Sequence, residues 1–294
     1  MFNIKKVMLM VAGVATMGLL SGCSFGWKTS YIYENGDKYV AGDREISDKI
    51  ETIDIDYLSG DVILTESSSD AFIITETSGK ELDDILKVHT WVDGSTLYVK
   101  YCASAKKLDI NLLSKKLTIG VPKGTNLNNL KMHVSSGDVN AVCSSKNIDI
   151  HCSSGEVHLD QKGKSDIINA HTSSGRVELN IESADKVDVA VSSGKIKINA
   201  VEITEINSKT SSGDSVYTFT KAPVISNLKA SSGDITINLP KDSDLSAELS
   251  TSSGDVSYDL AFAKDGKNYV CGSGANKLTA HTSSGDVDVK VISD

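Results

Sequence analysis

Aromatic residues make up only 5% of this 294-residue chain, and prolines number three. Such a composition suits small side chains filling a narrow, repeated interior. Tryptophan occurs twice, as Trp27 and Trp91, so an aromatic sugar-binding cleft is poorly supplied. A dense basic patch is also missing. The chain has 30 Lys and Arg against 39 Asp and Glu, a net charge of −9; without Lys5 and Lys6 the balance is 28 against 39, or −11. An acidic surface argues against nucleic acid or anionic lipid as the principal ligand. The five cysteines, at 23, 102, 143, 152 and 271, are too sparse for a secreted disulfide framework. Cys23 aside, four cysteines allow three pairings, and buried thiols at 143 and 152 are the favoured reading over a bridge. The one long apolar run, residues 7–20, has 14 residues and is too short to span a bilayer.

That run follows Lys5 and Lys6 and leads into Leu20-Ser21-Gly22-Cys23. A basic start, a short hydrophobic stretch and a small-residue cleavage site describe a secretory signal. The last four residues resemble the lipobox of bacterial lipoproteins, which implies cleavage before Cys23 and lipid on its thiol. The expectation is therefore a lipoprotein signal peptide over 1–22. A protein carrying it would be extracytoplasmic and anchored to the cell membrane through Cys23, or to an outer membrane where there is one. An ordinary signal with a chance cysteine is the competing reading.

Beyond residue 130 one phrase dominates. Ser135-Ser136-Gly137-Asp138-Val139 returns around Gly155, Gly175, Gly194, Gly213, Gly233, Gly254 and Gly285, at steps of 18, 20, 19, 19, 20, 21 and 31 residues. A near-fixed period of this size is the mark of a solenoid, whose repeats bury their apolar faces only by stacking. Residues five and three before each glycine are mostly apolar or small, as are those two and four after it, with polar residues between. Strict alternation predicts a strand on each side of the glycine, one face in and one out. Glycine supplies the turn, and the serines bond the local backbone. The predicted fold is all-β, a right-handed parallel β-helix of about 19–20 residues and two main strands per coil. A more variable return loop, such as 161–166, completes each coil. Asp214-Ser215-Val216 looks like a bulge.

The rest of the chain divides around this array. Residues 23–48 read as a lipid-anchored tether, with a capping strand starting around 31–39. Residues 49–130 keep the alternation but lose the phrase, which predicts an irregular N-terminal part of the same solenoid, with a short helical or turn segment at 80–86. A separate small sandwich is the alternative there. Residues 131–294 form the regular array, with an insertion at 259–277 that predicts a protruding hairpin or an inert loop. Alternating outward charges from Asp286 to Val291 would discourage edge pairing by the last strand.

Three features together resemble a known family: Ile53-Asp54-Ile55-Asp56-Tyr57-Leu58-Ser59-Gly60-Asp61-Val62, the Val121-Pro122-Lys123-Gly124-Thr125 lead-in, and the chain of Ser-Ser-Gly-Asp-Val phrases. They are similar to the bacterial family labelled "putative adhesin", a domain of unknown function, over about 50–291. The resemblance implies an envelope β-solenoid with no assigned catalytic residues, whose relatives are associated with envelope stress. This chain departs from the pattern at Arg176 and Lys195, which replace the acidic residue.

Candidate chemistry is concentrated in one column. His133, His151 and His171 sit four places before successive glycines, at outward positions, and stacking would bring their rings to roughly 5 Å. That is near enough to share a metal such as zinc, or to titrate together. His281 has the same phase further on. Against a metal site, three ligands in line are not tetrahedral. The acidic residues after the glycines suggest calcium only weakly, since Asp after Gly is ordinary turn chemistry. No Ser, His and Asp set is apparent. The expectation is a protein that is not an enzyme and uses no cofactor: an adhesin-like binding surface for a surface glycan or protein ligand. An envelope-stress sensor or scaffold is the alternative, and a glycan-degrading β-helix the second alternative.

Overall fold

The computed structural model describes residues 29–108, 115–266 and 268–292. The leader and Cys23 lie outside the described residues. The chain is a parallel β-solenoid in which equivalent residues of neighbouring coils are paired in register. Met132 lies beside Ile150, Ile150 beside Ala170, and Ala170 beside Val189. The second strand stacks likewise, with Val139, Val157, Val177 and Ile196 in one inward column. The inward columns form one continuous core running the length of the array. Period-two alternation therefore sets which residue is buried, and in-register pairing sets what it packs on.

Four of the strands are longer than the repeat suggests. Val139–Ser154, Val157–Ser174, Val177–Ser193 and Ile196–Ser212 each run from one glycine turn to the next serine pair without a break. Residues 161–166 are thus not a free loop; they lie within a bent strand that shifts register between Gln161 and Lys164. Gln161 holds this corner, donating to the carbonyls of Lys162 and Gly163 and accepting the Glu182 amide at 3.0 Å. At Asp214-Ser215-Val216 there is no bulge, because Ser215 occupies the column of Ile196 and Ile235. The next two inward positions carry Tyr217 and Phe219, both buried, and the Tyr217 hydroxyl donates to buried Ser208 at 2.7 Å.

The turn explains the glycine. Gly175 has φ +129°, and a Cβ there would stand 2.0 Å from the carbonyl oxygen of Gly155. The same contact joins Gly137 to Gly60, Gly155 to Gly137, Gly194 to Gly175, Gly213 to Gly194 and Gly233 to Gly213, at 1.8–2.3 Å. Backbone thus stacks directly on backbone along a glycine spine, which no side chain could enter.

The spine also reveals an order that differs from the sequence. Gly285 sits on Gly233, and Gly254 sits on Gly285. Asn276–Ser284 lies between Ile225–Ser232 and Leu245–Ser253, and Val287–Val291 lies between Ile235–Leu239 and Val256–Tyr258. The last strand is therefore internal, and the expectation that its outward charges protect an edge is corrected. The N-terminal end mirrors this. Thr52–Tyr57 has Thr96–Lys100 on one side and Asn126–Ser136 on the other, so the chain builds an outer coil before crossing back.

Antiparallel strands then close the edges. His89–Asp93 covers Thr96–Lys100, Phe72–Ser78 covers Lys115–Pro122, and Asn268–Cys271 covers Leu245–Ser253. The segment 259–277 is a hairpin, Ala263–Asp265 with Asn268–Cys271, folded against the end of the array. Capping of this kind denies an incoming strand its hydrogen-bond partners.

Replacing Gly175 with alanine forces both a disfavoured φ and a 2.0 Å contact. The expected loss is at least about 1–3 kcal/mol from backbone strain alone. Gly79→Ala, where nothing lies within 4 Å, is expected to stay within about 0.5 kcal/mol. Urea denaturation of the two variants checks the contrast.

Candidate functional site

Register places the outward column four residues before each turn in a definite sequence. Lys100, Asp56, His133, His151, His171 and Ala190 follow one another along the face. The three histidines are adjacent, with ring centroids 4.9 Å apart in both pairs and planes at 69° and 88°. Edge-to-face packing turns successive rings across each other, and the three do not form one ligand set. His171 instead reaches Asp188 on the next coil, Nε2 to Oδ1 at 3.2 Å. His151 reaches Asp149, two residues earlier on its own strand, at 3.1 Å. The cluster whose donor atoms all lie within 4.8 Å of one another is His133, Asp149 and His151. Asp149 was readable as a neighbour, because residues i and i−2 share a strand face. Its hydrogen bond from His151 holds the carboxyl below its usual range, and the same bond raises the His151 imidazole.

His281 stands apart from this group, beside Lys229 and Ser250. Its Nδ1 is 3.0 Å from Ser250 Oγ. Among the described residues no carboxylate pairs with the other nitrogen, so the dyad lacks the third member that orients a catalytic base.

The acidic residues after the glycines have a structural role. Asp61 Oδ1 accepts the Asp138 amide at 3.1 Å, Asp138 the Glu156 amide at 2.8 Å, Asp234 the Asp286 amide at 2.9 Å and Asp286 the Asp255 amide at 2.8 Å. Each carboxylate thus ties its turn to the next coil in space. The interruption at Lys195 is absorbed by an ion pair with Asp214, 3.1 Å away, which together with the Asp234 amide holds that carboxyl low. Beside the ladder runs a ridge of paired serines, exposed in every coil from Ser135-Ser136 to Ser283-Ser284.

The described cysteines carry free thiols. Burial pushes Cys102 and Cys143 up to about 12, the pKa of inert thiols. Cys152 donates to the Gly137 carbonyl at 3.4 Å, as Thr282 does to Gly233 and Thr251 to Gly285. These residues satisfy spine carbonyls from inside the coil.

Two features escaped the sequence reading. Lys115 takes the place of the spine glycine in the outer coil, its carbonyl facing Gly60. Its ammonium is fully buried, 2.8 Å from Glu76 Oε1 and 2.8 Å from the Leu86 carbonyl, and it also donates to the Tyr101 carbonyl and lies over the Tyr101 ring. Tyr57 and the Val88 amide complete the hydrogen bonds to Glu76. Burial pulls the Lys115 pKa down, against the pull of Glu76. A buried pair with its hydrogen bonds met stops the spine at this end. The second feature is a chain of rings from distant segments: Tyr31, Tyr33, Tyr39, Trp91 and Tyr98. Trp91 stacks on Tyr98 at 5.5 Å and has Lys38 over its ring, so these contacts dock 29–41 against the outer coil.

A parallel β-solenoid with a glycine spine, a carboxylate ladder and an exposed serine ridge defines the class. Residues 50–290 match the Toastrack DUF4097 family, and the chain belongs to it. The chain is also similar, at low identity, to solved structures. A "putative adhesin" from Parabacteroides merdae is 12% identical, covering 90% of this chain and 100% of its own at a TM-score of 0.37. A "putative adhesin" from Bacteroides fragilis is 18% identical, with 87% and 97% covered and a TM-score of 0.35. A "putative lipid binding protein" from Parabacteroides distasonis is 16% identical, with 85% and 96% covered and a TM-score of 0.29. No curated protein matches the chain.

The ladder oxygens already accept backbone amides, so adding calcium is expected to leave the melting temperature unchanged. Asp234→Ala, which deprives the Asp286 amide of its acceptor, is expected to cost about 0.5–1.5 kcal/mol. Asp234→Asn keeps an acceptor and should cost less. Thermal melts with and without calcium check both.

Proposed function

We propose that this protein is a non-catalytic envelope lipoprotein whose solenoid presents an adhesive surface. The observation that carries the reading is the serine ridge. Its paired hydroxyls are exposed coil after coil, on a backbone spine held at the roughly 4.8 Å spacing of stacked strands. A rigid periodic row of donors and acceptors is matched to a ligand that is itself periodic, such as a surface glycan, because ordering the protein side has already occurred during folding. Cys23 carries the lipid, and because 29–41 is docked on the outer coil, that end of the array faces the membrane, with the regular coils of 131–294 outermost. The negative net charge keeps nucleic acid from competing for the ridge.

A deletion strain is compared with its parent for attachment to abiotic and host-matrix surfaces, and for survival under envelope-active peptides. The expected result is loss of most attachment with normal survival, restored by the full-length chain and not by a Cys23→Ala version. Normal attachment with altered survival would contradict the adhesive reading and favour a role in the cell's own envelope.

A further inference from the structure

We infer that His133, Asp149 and His151 form a binding site for one borderline divalent transition-metal ion of the zinc class. The argument rests on the donor set and its geometry, and is independent of the adhesive reading. Two imidazoles and one carboxylate are the ligand types that zinc takes, at about 2.0–2.2 Å each. Ligand atoms around one tetrahedral ion at those lengths are about 3.3 Å apart. Asp149 Oδ1 and His151 Nε2 stand at 3.1 Å, and all three donor atoms fall within 4.8 Å of one another. Closing the site needs the exposed His133 ring, packed edge-to-face on His151, to turn its donor nitrogen toward Asp149 and His151. The backbone beneath does not have to move, because His133 and His151 are paired in register on adjacent coils.

The neighbours of the cluster define its limits. Next to His133 in the column, Asp56 is engaged by Lys100 at 3.4 Å and by the Tyr31 hydroxyl at 3.2 Å. Beyond His151, His171 is drawn to Asp188 at 3.2 Å. The set is thus three ligands, with nitrogen donors that disfavour calcium and magnesium. Since the cluster lies on the outward face, the fourth position opens to solvent. That position would hold water, or a carboxylate brought by whatever docks on this face. Among the described residues His281 joins no such set, and its Nδ1 is hydrogen-bonded to the Ser250 hydroxyl.

The test uses the purified full chain, stripped of metal and dialysed against zinc sulfate alone, with the ion counted by elemental analysis. One ion per chain is expected. His133→Ala and His151→Ala are each expected to weaken binding by about tenfold or more, and Asp149→Asn to weaken it as well. His171→Ala and His281→Ala should bind as the unaltered chain does. Cobalt substitution adds a second readout, with a visible spectrum of nitrogen and oxygen ligation and no thiolate charge-transfer band from Cys271. Circular dichroism confirms that each variant keeps its strands. The proposal is overturned if no zinc is retained, if binding survives both His133→Ala and His151→Ala, or if the cobalt spectrum shows thiolate ligation.

Discussion

Everything in this molecule depends on a contact between two pieces of backbone. Each turn glycine lies against the carbonyl of the turn below, closer than any Cβ would allow, and the rest of the coil follows from that approach. The strands leaving the turn are forced into register, so inward residues meet inward residues and the core becomes a set of columns. Carboxylates placed one residue after the glycine find the next amide at hydrogen-bond distance. The serines one and two residues before it are displayed at a regular spacing. Fold, stability and surface are one constraint repeated.

The same regularity accounts for how function is distributed. A solenoid with its hydrophobic columns inside leaves only outward columns for chemistry, and each column is read across coils rather than along the chain. His133 and His151 are 18 residues apart in sequence and adjacent in space. Asp149 joins them from the neighbouring column. The serine ridge offers a long, shallow, repetitive surface, whereas the histidine cluster is a single local irregularity on it. The proposed binding surface and the proposed metal site share no residue.

Most of the architecture was legible from the repeat. The spacing of glycines marked the coils, and the alternation about them separated buried Val177 and Leu179 from outward Arg176 and Glu178. The coil order at both ends was not legible, for a physical reason. Coils bearing the same phrase present nearly the same edge, so Gly254 and Gly285 are interchangeable neighbours for Gly233 in local chemistry. What distinguishes them is the hairpin Ala263–Asp265 and Asn268–Cys271, which covers the coil that ends the stack. Lys115 was missed because a lysine in an alternating strand reads as solvated, and its burial depends on Glu76, Leu86, Tyr57 and Tyr101 from other segments. At the histidines the column was visible, but the choice of Asp149 over His171 rests on ring orientation, which spacing does not encode.

The interleaved spine is the claim most directly open to measurement. Neighbouring strands about 4.8 Å apart are within reach of a disulfide, and strands two coils apart are not. Ser284 is paired with Ser232 on one side and Ser253 on the other. Three double-cysteine chains, 232 with 284, 253 with 284 and 232 with 253, are oxidised and their linked peptides identified by mass spectrometry. The spine as described predicts bonds in the first two and none in the third. A bond between positions 232 and 253, with none between 232 and 284, would mean that the coils stack in sequence order and would contradict it.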